Sequence, residues 1–169
     1  MPGYRAAKQI QTKGWVSKKA VRTNRKPLTM NNTDHRFIDR LFRNHYGWRA
    51  RSNVLFVQGS KFTGYYYGPF KYVAYPIGKI KYLWTKDFRD LAPVIDGARY
   101  AIEHDFDLPD DELEERARVK IEELIRDSYI TTGLHTALSK YPSHEIMVNC
   151  KEYFIIPEEI YQLHVRKVL

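Results

Sequence analysis

Apolar residues recur at helical spacing over residues 34–46, where Phe37, Ile38, Leu41, Phe42 and His45 mark one side of the segment. Thr33 or Asn32 stands ready to cap its start, and Gly47 follows as a left-handed stop, so a helix with both ends marked is predicted. A short apolar run over 53–58 has strand composition and ends at Gly59. Two more strands are predicted over 71–77 and 79–84, with Gly78 between them at a tight turn or bulge. Residues 87–100 read as helical or turn-like, with Pro93 opposing a long unbroken helix. The clearest helical signal covers 109–129. Pro109 and a group of acids open it, which suits the positive end of a helix dipole, and Leu113, Ala117, Ile121, Leu124, Ile125 and Ser128 form one stripe. Its acids and bases four residues apart, such as Glu112 with Arg116, belong to a solvated face rather than to an acidic binding site.

A short helix over 132–140 is followed by predicted strands over 144–150, 152–156 and 161–168. Residues 59–70, GSKFTGYYYGPF, are dense in glycine and aromatics and read as a turn or short helix that returns the chain to the strands. Strands gather at both ends of the body and helices between them. The expected fold class is therefore α+β, with a split, mostly antiparallel sheet and flanking helices.

Composition divides the chain unevenly. Its 169 residues suit one domain, and its formal charge is +8. Residues 1–32 hold eight of the basic residues and no acid, whereas the remainder carries 20 of each sign. Two parts are expected: a basic arm over 1–32, extended or disordered, and a folded domain over 33–169. Lys8, Lys13, Lys18, Lys19, Arg22, Arg25 and Lys26 are the arm residues expected to touch an anionic partner, either nucleic acid or an acidic protein surface. The bland alternative is a solvated tail without a specific partner.

Cys150 is the lone cysteine, which excludes an intramolecular disulfide. No apolar run approaches membrane-spanning length, and no apolar core follows the basic N-terminal residues, so neither a membrane partner nor a secretory signal is expected. The histidines are scattered; His35 and His45 lie too far apart on one helix to chelate together, and no metal is expected. Phosphate-binding glycine loops and nucleophile elbows are absent from the sequence.

Three blocks carry more specific information. They are YGWRARSNVLFVQGS (46–60) with Tyr67 and Gly68; FKYVAYPIGKIKYLW (70–84) with Asp90 and Leu91; and TGLHTAL (132–138) with HEIMVNCKEYF (144–154). In that order they resemble a family of small phage-encoded proteins with an ADP-ribosyltransferase-like layout. The resemblance covers about residues 34–156 and leaves out the arm. It implies an NAD-cleaving domain in which an arginine or histidine on an early strand, a serine or threonine patch with an aromatic, and a glutamate at the head of a late strand share one cleft.

On that resemblance Glu145 is the catalytic residue, stabilising the cationic ribose that forms as the nicotinamide bond breaks. Arg51 is implied to bind the NAD diphosphate or nicotinamide ribose, with Arg49 competing for the role because both point the same way if the stretch is extended. Ser52 is implied to support the ribose or the carboxylate, Ser60 and Thr63 to line the nicotinamide pocket, and Tyr67 to stack on the ring. Each residue also has a plain reading: Glu145 as a strand-edge acid, the arginines as exposed charges, the tyrosines as packing. Ser143 stands two residues before Glu145, where many transferases of this fold carry a glutamate or glutamine that serves the acceptor. The resemblance therefore argues against arginine as acceptor and leaves a nucleobase, a nucleic-acid end, another side chain or water. NAD enters as substrate. The alternative is a non-enzymatic phage protein, a virion subunit or nucleic-acid binder that keeps the fold. Both readings place the protein in the cytoplasm of an infected bacterium or in a virion.

Overall fold

Hydrophobic alternation in the strands is resolved into two antiparallel sheets. The computed structural model describes residues 3–7, 14–27, 30–60, 68–105 and 108–165. In chain order the elements are β1 (Gly3–Ala7), β2 (Ser17–Ala20), α1 (Asn32–Tyr46), β3 (Leu55–Val57), β4 (Phe70–Ile77), β5 (Lys81–Trp84), α2 (Leu91–Asp105), α3 (Asp110–Ser128), α4 (Leu134–Lys140), β6 (Ile146–Asn149), β7 (Glu152–Pro157) and α5 (Glu158–Ile160), with a π-helical turn over Tyr161–Val165. Sheet A has the strand order β1-β4-β7-β2 and sheet B the order β3-β6-β5. The fold is mixed α+β, as the pattern predicts.

The two sheets lie face to face. Tyr72, Ala74, Tyr153 and Ile155 of sheet A meet Leu55, Val57, Trp84, Ile146 and Val148 of sheet B in one apolar layer, with Ala137 and Leu138 of α4 beside them. The opposite side of sheet B, through Leu83 and Met147, packs on Ile38, Leu41 and Phe42 of α1, Leu91 and Ile95 of α2, and Ile121 and Ile125 of α3. Sheet B is thus covered on both faces, and its strands read as continuous apolar runs for that reason. The chain steps from sheet A to sheet B between β4 and β5, and back between β6 and β7. Gly78 makes the first step at φ 79°, a left-handed conformation that disfavours any other residue. Close approach constrains Gly59 differently: a Cβ there would stand 2.0 Å from the Leu138 carbonyl oxygen of α4.

The helix ends follow their signals with small shifts. The cap of α1 is Asn31 rather than Thr33 or Asn32; its side chain accepts from the Asp34 N–H at 2.8 Å. Gly47 closes the helix at φ 79° and donates its N–H to the Arg43 carbonyl, as expected. Pro93 lies in the first turn of α2, where its missing N–H costs no helical bond, and α2 runs unbroken past it. The Tyr46 hydroxyl donates to the Ile125 carbonyl at 2.8 Å and ties α1 to α3.

Two expectations are corrected. Residues 161–168 were expected as a strand, but Tyr161–Val165 form a helical turn over the outer face of sheet A, where the Tyr161 ring lies 6.2 Å from that of Tyr75. The reason is topological: both flanks of β7 are already paired, with β4 and with β2. The arm is corrected too. Residues 3–7 and 17–20 are extended, but as edge strands of sheet A, on β4 and β7 respectively, and Ala7 is buried in the apolar layer between the sheets. The arm segment and the body share one sheet. At Tyr4 the chain also exchanges two backbone hydrogen bonds with Gln58, of 2.7 and 2.9 Å, which join the two sheets at one corner. Lys8 and Lys13, expected to contact an anionic partner, lie outside the described residues, as do Thr63 and Tyr67.

Candidate functional site

Polar residues in the apolar stripe of α1 begin the site. His35, Asp39 and Phe42 succeed one another along its inner side, and Asp39 is 4 % exposed. A buried carboxylate must be satisfied by donors, and Asp39 takes them from a turn far along the chain. It accepts the Arg51 N–H at 2.9 Å and the Ser52 N–H at 3.2 Å on one oxygen, and the Ser52 hydroxyl on the other. His35 Nε2 lies 3.1 Å from the same hydroxyl. Asn53 N–H to the Arg49 carbonyl, 3.1 Å, closes the turn. Residues 49–52 are therefore not extended, so Arg49 and Arg51 do not point the same way: Arg49 is exposed and Arg51 is turned inward.

Arg51 reaches the head of β6. Its Nη1 donates to Glu145 Oε1 at 2.5 Å, and the two side chains are only 12 % and 13 % exposed. Alternation along β6 explains the placement: Ile146 and Val148 face sheet A, while Met147 faces the helices, and Glu145 precedes Ile146 on the helical side. The Glu145 N–H donates to the Arg89 carbonyl at 3.0 Å, and His144 Nδ1 lies 2.8 Å from the Thr85 carbonyl oxygen, so the segment between β5 and α2 fixes the strand's start. The Phe56 ring lies under the Arg51 guanidinium, 4.8 Å from its centroid, and Tyr129 stands in the same buried layer against Phe42, ring centroids 4.9 Å apart.

The electrostatics follow from burial. Desolvation raises the Glu145 pKa above the usual carboxylate value; Arg51 opposes this, and Asp90 adds to it. Burial also works against the Arg51 charge, but Glu145, Tyr129 and Asp90 hold its pKa above the ordinary arginine value, so it stays a cation. The Tyr129 phenol is pushed well up by burial and remains neutral. His35 is lowered, chiefly by burial, with Asp39 opposing, and is neutral near pH 7.

Of the sequence-derived candidates, Arg51, Ser52 and Glu145 come together. Ser60 lies beyond β3, its N–H donating to the Pro142 carbonyl at 2.9 Å, beside the segment that leads into Glu145. Lys18 is on an exposed edge, paired with Glu152 at 2.7 Å, and Arg22 and Lys26 are exposed. Arg25 belongs elsewhere: its N–H donates to the Ser52 carbonyl at 3.3 Å and its guanidinium stands 4.2 Å from the Phe56 ring centroid. Asp39, His35, Phe56, Asp90 and Tyr129 were missed by sequence reasoning. The usable signal was the set of polar residues Asp34, His35 and Asp39 alongside Ile38, Leu41 and Phe42 on one side of α1.

Among the described residues no group of acids, histidines or cysteines is arranged to hold a metal, and no helix is long and apolar enough to cross a membrane. Compared with family models, with curated proteins and with solved structures, the chain matches none.

Proposed function

We propose that the chain is an ADP-ribosyltransferase-like protein, of the kind small phages encode, that cleaves NAD at a site centred on Glu145 and Arg51. The observation that carries this reading is the meeting of a strand-head carboxylate and an early guanidinium, 94 positions apart, at 2.5 Å in a buried layer. In this reading nicotinamide leaves with the electrons of its bond to ribose. The Glu145 carboxylate stabilises the positive charge left on the ribose and holds a ribose hydroxyl. Arg51 binds the diphosphate or the nicotinamide ribose, and Asp39 and Ser52 hold the turn that aims it. Water or a nucleophile on nucleic acid or protein then takes the anomeric carbon. Only ionised Glu145 can do this work, so turnover rises with pH through its raised pKa.

The test is release of labelled nicotinamide from NAD, with and without a host lysate. Wild-type release that drops about a hundredfold or more in Glu145→Gln supports the reading. Equal release by the two proteins, or none above the spontaneous rate from wild type, overturns it.

One observation favours the second reading, a non-enzymatic nucleic-acid-binding or virion protein: the Arg51–Glu145 pair is closed on itself and scarcely exposed. Stoichiometric presence in purified particles, without turnover, would decide for it.

A further inference from the structure

We propose that the outer edge of β2 is a docking site for an extended acidic segment of a partner protein, which adds to the four-stranded sheet A as a further strand. The inference is independent of the NAD reading above.

A sheet edge presents unpaired N–H and C=O groups unless something covers it. Among the described residues the edges are treated unequally. Tyr4 of β1 and Gln58 beyond β3 exchange backbone hydrogen bonds of 2.7 and 2.9 Å, which closes one edge of each sheet at that corner. The β5 edge of sheet B is met at Trp84 by Ile130, with bonds of 3.2 and 2.8 Å. The remaining edge, β2, has no such partner among the described residues. Its register shows what it offers. The Val21 N–H donates to the Lys151 carbonyl at 3.0 Å, and Lys19 and Ser17 lie opposite Tyr153 and Ile155, so these alternate residues bond to β7. Lys18 and Ala20, between them, turn their N–H and C=O groups outward, and both residues are exposed. Apolar side chains stand open nearby: Phe154, opposite Lys18, is 40 % exposed, and Val16, just before the strand, is 52 % exposed. A partner strand would satisfy the outward groups and cover part of that apolar surface.

Charge selects the occupant. Lys18, Lys19, Arg22 and Lys151 lie in or next to the paired strands, against Glu152, which Lys18 engages at 2.7 Å. A second copy of β2 would set lysines against lysines, which disfavours self-pairing. Nor does another copy supply an acidic strand from its acid-rich stretch, because residues 110–115 are held in α3. An extended segment with acids among apolar residues fits both the charge and the exposed surface.

Fluorescence anisotropy of a short labelled peptide alternating glutamate with valine, titrated with the full chain at fixed ionic strength, tests this. Wild type is expected to bind it, and not to bind the same peptide with lysine in place of glutamate. Ala20→Pro removes an outward N–H without touching the bonds to β7, and is expected to weaken binding about tenfold or more. Ala20→Val keeps the N–H and is expected to bind as wild type does. Methylating the backbone nitrogens of the glutamate peptide, a test that needs no variant, is expected to weaken binding as much as the proline does. Wild-type affinity in a folded Ala20→Pro overturns the proposal, and so does a methylated peptide that binds as tightly as its parent. A wild type that ignores the glutamate peptide overturns it as well; if a labelled single-stranded oligonucleotide binds instead, the segment belongs to nucleic acid. Dimerisation of wild type in sedimentation, abolished in Ala20→Pro, would give the edge to a second copy and overturn it too. Thermal unfolding of each variant separates lost binding from lost folding.

Discussion

Sheet B separates two layers of opposite character. On the side facing sheet A, Leu55, Val57, Ile146 and Val148 pack against apolar partners. On the side facing the helices, Asp39, Ser52 and His35 are buried, and Arg51 and Glu145 are nearly so. Residues 145 and 146 are adjacent, yet they serve different layers, because successive strand residues point to opposite faces. The apolar layer draws its stability chiefly from exclusion of water and close packing. The polar layer must pair most of the donors and acceptors it hides, and that requirement fixes its geometry.

The sharpest way to break this contrast is to halve the ion pair. Arg51→Met leaves Glu145 buried without its cation and should cost about 3–5 kcal/mol in urea unfolding, whereas Arg51→Met with Glu145→Leu should recover most of the loss. A double variant as unstable as the single one would mean that the pair does more than neutralise itself. In the apolar layer, Ile146→Ala should cost about 2–5 kcal/mol and leave any NAD affinity unchanged, since it opens a void away from the polar side. A smaller effect, and one confined to the polar layer, is expected from pH. The raised pKa of Glu145 gives stability that is complete below the usual glutamate value and is lost as pH climbs through the raised one. The lowered pKa of His35 gives stability complete above the usual histidine value and lost as pH falls through the lowered one. Unfolding measured across pH should show the first slope vanish in Glu145→Gln and the second in His35→Gln, with neither altered in Ile146→Ala.

The sequence spoke clearly where one residue type leaves little choice. Gly47 ends α1, Pro109 and its acids open α3, and Gly78 turns β4 into β5, all by local chemistry. Glu145 at the head of β6 was legible through the pattern of the surrounding block. What stayed hidden depends on partners distant in the chain. β1 and β2 are short and basic, and they are strands only because β4 and β7 offer them edges. The role of Asp39 depends on the distant turn at 49–52 whose N–H groups it accepts, and Arg49 and Arg51 share a side only if that stretch is extended, which it is not. The alternating residues of 161–168 suited a strand, but no flank of β7 remained to receive one.

The flanking position of β1 and β2 has a consequence for how the molecule assembles on the ribosome. Both strands dock on partners synthesised later: β1 (Gly3–Ala7) waits for β4 (Phe70–Ile77), and β2 (Ser17–Ala20) for β7 (Glu152–Pro157). Once β7 arrives, β2 can complete sheet A, and the long loop closed by that pairing should make the final step slow.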